Sequence, residues 1–224
     1  MAMRAALFDV DGTLVDTNHL HVTSWWEAFR QAGHKVSMSG IHHSIGLGAG
    51  ELIARLLGDQ RDRDQDAVIS AAHTTLYATY FDRLPALEGA ADLLRSLDDR
   101  GWRIVLASSA GEAELAAVRR ALDADEVITA AVGSNGAVVG KPAPDPVYRA
   151  LELAGAPAER AVFVGDTVWD VEAATRAGVR AVALLSGGIP RTALESAGAT
   201  AVYEDPTALL ARLDTSVFAE LDGR

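Results

Sequence analysis

The 224-residue chain has no cysteine, which excludes disulfides, zinc–thiolate centres and a cysteine nucleophile. It is also short of positive charge. Its 20 Lys and Arg face 31 Asp and Glu, a formal net charge of −11, which argues against nucleic acid or an anionic membrane surface as the main partner. An anionic substrate would need a bound cation and local basic groups to offset that field. No apolar run approaches the ~18–20 residues of a membrane span. No charged-then-apolar leader precedes the first strand pattern, so a cytoplasmic location is expected. Internal repeats and low-complexity tracts are missing too. The remainder, 49% hydrophobic and 23% charged, is the profile of a globular chain, sized for one large domain or two modest ones.

What is present is organised around Phe8-Asp9-Val10-Asp11-Gly12-Thr13-Leu14-Val15-Asp16. The apolar run Ala5-Ala6-Leu7-Phe8 stops at two carboxylates one residue apart, followed at once by glycine. Such a run reads as a buried strand of a parallel sheet. Its acids then fall at the carboxyl end, where open α/β sheets bind ligands. Two acids at i and i+2 on an extended chain point the same way. They repel unless a cation sits beside them or one holds a proton.

After this stretch the pattern turns helical. Leu20, Trp25, Trp26, Phe29 and Ala32 keep near-3.6 spacing, with Gly33 as a C-cap. A loop is expected over 37–44, the glycine-rich Ile45-Gly46-Leu47-Gly48-Ala49-Gly50 next, and helices over 51–57 and 66–83. Residues 17–84 thus read as wholly helical, inserted between the first strand and everything that follows. From Pro85 onward helices and strands alternate, the signature of a parallel sheet. Strands are expected over 103–107, 127–132, 161–164, 180–185 and 201–203. Helices are expected over 90–100, 112–122, 144–154, 168–177, 192–197 and 206–213, with a turn-rich stretch over 133–140. The expected architecture is α/β: a three-layer Rossmann-like core with a parallel sheet, formed by 1–16 and 85–224, plus an all-helical cap over 17–84.

One regularity points to chemistry. Separate apolar strands each end in a polar residue: Asp9 and Asp11 after the first, Ser108 after the second, Asp166 after the fourth. Lys141 follows the third. In a parallel sheet these ends share one edge. A carboxylate pair, a hydroxyl, an ammonium and further carboxylates are what phosphoryl transfer requires: a nucleophile, cationic relief for a dianion, and a proton for the leaving oxygen. Magnesium takes hard oxygen ligands, so two or three carboxylates plus phosphate suit it.

In order and spacing, Asp9-Val10-Asp11-Gly12-Thr13, Ser108, Lys141-Pro142 and Gly165-Asp166-Thr167-Val168-Trp169-Asp170 resemble the four signature motifs of the haloacid dehalogenase superfamily. The helical insert resembles the alpha-helical cap of its phosphoglycolate phosphatase and beta-phosphoglucomutase branch. The resemblance spans essentially the whole chain. It implies that Asp9 is nucleophile and Mg2+ ligand, and that Asp11 is general acid/base and binds the metal through its backbone carbonyl. It implies that Ser108, the backbone N–H of Ser109, and Lys141 hold phosphate, that Asp166 ligates the metal and that Asp170 orients it or its waters. Asp9 is expected to keep the pKa of Asp11 near the working pH. Hinge strands are expected near 14–17 and 83–88. His21, Gly46 and Arg55 are the cap residues expected to meet substrate, a small phosphorylated metabolite. His42 and His43 read as exposed. Monomer and homodimer both stay open.

Several rival readings lose ground on the residues themselves. Gly140-Lys141 is no P-loop, since Asn135 stands where the first glycine belongs and Pro142 where Ser or Thr belongs. The loop 46–50 follows no strand and lacks the dinucleotide spacing. Dehalogenation needs a carboxylate nucleophile but neither the metal set nor Asp11. A phosphosugar mutase shares the whole core, yet its cap must hold a second phosphate. Here the loop 46–50 has no basic residue, His73 stands where the mutase has lysine, and Arg55 is the nearest candidate. A non-catalytic binding module would leave the complete acid–base set unused. A phosphatase working through an aspartyl-phosphate is the expectation, with the mutase as its alternative.

Overall fold

The computed structural model describes residues 3–133 and 139–222. Most of the turn-rich stretch expected over 133–140 therefore lies outside the described residues. The elements run β1 (Arg4–Phe8), α1 (Asn18–Gln31), α2 (Met38–His42), α3 (Ala49–Leu57), α4 (Asp66–Ala78), α5 (Ala90–Asp99), β2 (Trp102–Ala107), α6 (Glu112–Leu122), β3 (Ile128–Val132), α7 (Asp145–Ala154), β4 (Ala161–Gly165), α8 (Val168–Arg176), β5 (Arg180–Leu184), α9 (Arg191–Ala197), β6 (Ala201–Tyr203), α10 (Pro206–Leu210) and α11 (Val217–Asp222). The six strands form one sheet in the order β3-β2-β1-β4-β5-β6, with every pairing parallel. Among the described residues no helix is long and apolar enough to cross a membrane.

β1 lies between β2 and β4, with Phe8 opposite both Leu106 and Val164. Alternation along the strands sends successive side chains to opposite faces. Ala6, Phe8, Ile104, Leu106, Val162 and Val164 join one core layer. Ala5, Leu7, Val105, Ala107, Ala161 and Phe163 join the other. The sheet is thus covered on both sides, as parallel sheets require.

The helices between β1 and β2 pack around a third cluster, which includes Trp25, Phe29, Ile41, Leu52 and Ile53. Their two connections to the sheet meet. Asp16 N–H donates to Pro85 O at 2.9 Å and Leu87 N–H to Leu14 O at 2.9 Å, with Val15 bridged antiparallel to Ala86.

Three stretches depart from the sequence reading. The expected loop at 37–44 contains α2, whose N-terminus is held by Ser37 accepting from Gly40 N–H at 3.1 Å. With only Ile41 buried in five residues, it offers no apolar period to read. The helix expected over 66–83 stops at Ala78 and resumes as a 3₁₀ turn, Phe81–Arg83. The Thr79 hydroxyl donates to Leu76 O at 2.7 Å, competing with the helical ladder. The helix expected over 206–213 ends at Leu210, and an unforeseen α11 follows. Phe218 of α11 packs edge-on against Trp102, ring centres 4.9 Å apart.

Candidate active site

The carboxyl ends of β1 and β4 are adjacent, so the residues beyond them meet. Asp9 N–H extends the ladder to Val164 O at 2.9 Å, and Ser108 N–H does the same to Val132 O at 3.1 Å. Lys141, from the segment between β3 and α7, donates to both Asp9 and Asp170, the latter at 2.7 Å. Asp170 sits in the first turn of α8 and forms a reciprocal cap with Thr167, which satisfies helix-end donors. Asp166 accepts from the Thr13 hydroxyl at 3.0 Å and the Asn18 amide at 2.9 Å. Gly12 permits this closeness: its φ is +73°, and a Cβ there would collide with Asn18 and Asp166.

Asp9, Asp166, Asp170 and Lys141 are all at most 4% exposed. Burial pushes Asp9 up to about 7 despite Lys141 beside it, with Asp170 and Asp11 adding to the rise. Asp166 is raised well above the usual carboxylate range by burial, then by Asp170 and Asp9. For Lys141 burial acts downward, but its two carboxylate partners outweigh it and hold the ammonium charged. One ammonium for three buried carboxylates leaves negative charge uncompensated, and Asp166 has only neutral donors. The three acids each offer an oxygen within 4.8 Å of the others. An all-oxygen, carboxylate-rich set fits a hard divalent cation. The two oxygens of Asp170 already serve Lys141 and Thr167, so Asp9 and Asp166 have the freer lone pairs.

Asp11 turns away from this trio. Its carboxylate accepts from the Thr17 hydroxyl and meets His21 Nε2 at 3.0 Å. Glu114 of α6 approaches the same His21 nitrogen at 3.4 Å, and His21 Nδ1 lies 3.1 Å from His73 Nε2. Trp25 stacks on His73 with centres 4.0 Å apart, and Tyr77 stacks on His21 at 3.8 Å. Burial alone would raise Asp11, but His21 and Thr17 outweigh it and hold its pKa below the usual range. The pair therefore splits opposite to expectation, because Asp9 is the more desolvated member and Asp11 gains an imidazole partner. His21 is raised: burial works against its charge, but Asp11 prevails. Burial and His21 together push His73 down to about 2, and burial lifts Glu114 to about 7.

Beside Asp9 and the Asp11 group opens a cavity of about 220 Å³, bordered by Asp9, Asp11, Ser109 and Glu114 from the sheet side and by His21, Trp25, His73 and the loop residue Leu47 from the helical segment. Gly46 also borders it, at φ +94°. A Cβ on Gly46 would stand 2.9 Å from the Thr167 hydroxyl and 3.3 Å from Trp169. Glycine is what lets the loop rest on the sheet edge. Ser108 and Lys141 border an adjoining cavity of about 290 Å³, which shares Ser109 and Ala49 with the first.

The sequence profile described as haloacid dehalogenase-like hydrolase matches residues 3–178. The chain belongs to that family. This hydrolase is 30% identical over 215 residues to phosphoglycolate phosphatase of Rhodospirillum rubrum, covering 90% of this chain and 87% of the relative. A solved hydrolase from Pseudomonas syringae superposes with TM-score 0.89 at 34% identity, over 95% of this chain and 98% of that one. CbbY from Rhodobacter sphaeroides in complex with phosphate superposes with TM-score 0.77 at 28% identity, over 95% and 99%. A second CbbY structure, a mutant 27% identical to this chain, holds xylulose-(1,5)bisphosphate (TM-score 0.76, over 92% and 96%).

In the hydrolase, Asp9, Asp166, Asp170 and Lys141 come together as one buried group, and Ser108 and Ser109 stand beside it. His21 and Gly46 reach the cavity. Arg55 does not border it; its guanidinium stacks on Trp169, 4.9 Å from the ring centre. Ser108 is not the N-cap of α6, a place taken by Gly111; its hydroxyl accepts from Ala110 N–H at 3.1 Å. His42 is half-buried, its Nε2 donating to Gly187 O at 2.9 Å, whereas His43 is exposed as expected. Sequence reasoning missed Thr17, Asn18 and Glu114. The first two directly follow the opening motif at the start of α1, and that proximity was the available signal.

Proposed function

We propose that this hydrolase cleaves the phosphoric monoester of a small metabolite through an aspartyl-phosphate on Asp9, with Mg2+ as cofactor. The observation that carries the reading is the buried Asp9 carboxylate bridged by Lys141 to Asp170, with Asp166 alongside. Asp9 attacks phosphorus and the bond from phosphorus to the leaving oxygen breaks. The proton that oxygen needs comes from Asp11, which shares it with His21 across 3.0 Å. In the second displacement Asp11 takes a proton from water as the water attacks phosphorus. The bond to Asp9 breaks, and phosphate leaves.

Lys141 acts as a point charge on the transferred group, while the Ser108 hydroxyl and the Ser109 N–H donate to its non-bridging oxygens. Asp9, Asp166 and the Asp11 carbonyl, with Asp170 as support, would hold Mg2+, which would supply the charge that lets a carboxylate approach a dianion. Residues 17–84 act as a cap that closes on the remaining residues 1–16 and 85–224 and excludes water, moving about the paired connections at 14–17 and 83–88. The mutase alternative would require a basic group for a second phosphate, and Arg55, the candidate for it, is engaged on Trp169.

The test is Asp9→Asn. Mg2+-dependent phosphate release from an aryl phosphate is expected to fall at least about a thousandfold with the fold intact. Retention of more than a few per cent of the rate would overturn the nucleophile assignment.

A further inference from the structure

Resting on that reading, we propose that the leaving-group end of the cavity is built for an uncharged, hydroxyl-bearing alcohol, and that Glu114 excludes anionic ones. Among the described residues no Lys or Arg borders the cavity of about 220 Å³, and the sequence places none in 134–138. Lys141 lies on the far side of Asp9, committed to two carboxylates.

Among the described residues the bases bordering the cavity are His21 and His73, and His21 stands between two acids, 3.0 Å from Asp11 and 3.4 Å from Glu114. With the Asp11 carboxylate paired to His21, the imidazolium charge is already matched, and Glu114 adds no positive charge for an anion. His73, where a cation would be most useful, is buried under Trp25 and held neutral. Once ionised, above the pH of about 7 to which burial lifts it, Glu114 would face a carboxylate or second phosphate on the leaving group in a partly desolvated site, where like charges about 4 Å apart discriminate by tenfold or more.

The rest of the lining suits hydroxyls. Ser70 and Thr74 border the cavity. Thr74 donates its proton to Ser70 O at 3.0 Å, leaving its oxygen to accept. Glu114 accepts as well, and Trp25, Ile45 and Leu47 supply an apolar wall. The volume is below the ~300–1,000 Å³ of drug-sized sites, which fits a leaving group of a few carbons. This preference would set the chain apart from the phosphoglycolate phosphatase and the bisphosphate-bound CbbY it resembles.

The experiment compares kcat/KM for a matched set of esters with Mg2+: 2-hydroxyethyl phosphate, glycerol 1-phosphate, 2-phosphoglycolate and 2-aminoethyl phosphate, with an aryl phosphate as reference. The uncharged pair is expected to exceed phosphoglycolate by at least about tenfold. Glu114→Gln is expected to narrow that ratio, chiefly by lowering KM for phosphoglycolate. A preference for phosphoglycolate or for the amine in the native protein would overturn the inference and leave ester hydrolysis standing. An unchanged ratio in Glu114→Gln would overturn the role of Glu114. Absence of phosphate release from every ester, the aryl phosphate included, would overturn the hydrolytic reading itself and this inference with it.

Discussion

Two buried groups of acids and bases reach the cavity, one through Asp9 and the other through Asp11, His21, His73 and Glu114, and they differ in the base. Around Asp9, Asp166 and Asp170 the base is Lys141, charged under all ordinary conditions. Around Asp11 and Glu114 the bases are His21, an imidazole raised by Asp11, and His73, which burial holds neutral. The first arrangement fixes charge in place, as phosphate and metal binding demand. The second moves protons, as a leaving oxygen and an attacking water demand. Asp9 and Asp11 are two residues apart, yet Asp9 still extends the strand to Val164 O while the turn that opens at Val10 O carries Asp11 off, and one falls to each group.

The contrast can be broken most sharply at Lys141. Lys141→Met leaves Asp9 and Asp170 buried without their cation, and a loss of about 3–5 kcal/mol in urea-unfolding stability is expected. A loss below 1 kcal/mol would show that the ammonium is not what holds the trio.

Next is the metal. Because Asp9 and Asp166 are raised by burial and mutual repulsion, a divalent cation should stabilise the fold as well as the reaction. Thermal unfolding with Mg2+ at a hundred times its Kd is expected to gain about 2.7 kcal/mol over chelated protein. An unchanged melting temperature across an Mg2+ titration would contradict this.

Gly46→Ala tests the contact that brings the two groups together. The positive φ and the approach to Thr167 are expected to cost about 1–2 kcal/mol, seen as a several-fold rise in KM for an aryl phosphate. An unchanged KM would show that the loop yields freely.

The smallest effect concerns His73. Its pKa is lowered from the ordinary 6.5 to about 2 in the fold, so below pH 6.5 the unfolded chain binds the proton more readily. The stability it contributes is therefore full above that pH and lost as pH falls. His73→Gln is expected to lose about 1 kcal/mol less than the native protein on going from roughly pH 7.5 to 5.5. Parallel stability curves would count against it.

The fixed-charge group was legible in part from residue order, because Asp9 and Asp166 stand beside strand ends that apolar runs announce, while Lys141 and Asp170 were read from the motifs they belong to. The parallel sheet followed from the same runs. The proton-moving group was far less legible. Glu114 and His73 reach His21 from helices whose own patterns report only an apolar face, and the 52-residue separation of His21 and His73 leaves no local trace. Arg55 was read from charge alone, without the Trp169 ring that engages it. The short α2 escaped because only Ile41 in it is buried, and α11 because six residues, though Val217, Phe218 and Leu221 are buried, are too few to show a period.

The paired connections between sheet and helical segment have a consequence for variation. Chain entry and exit are one hydrogen-bonded rung apart, at Asp16 with Pro85 and Leu14 with Leu87. Everything between them can lengthen, shorten or be exchanged without shifting the register of β1 against β2. A graft of another helical segment at this rung that kept Thr17, Asn18 and His21, which bond Asp11 and Asp166, is expected to leave the strand-end acids in place and change the wall that faces the rest of the substrate.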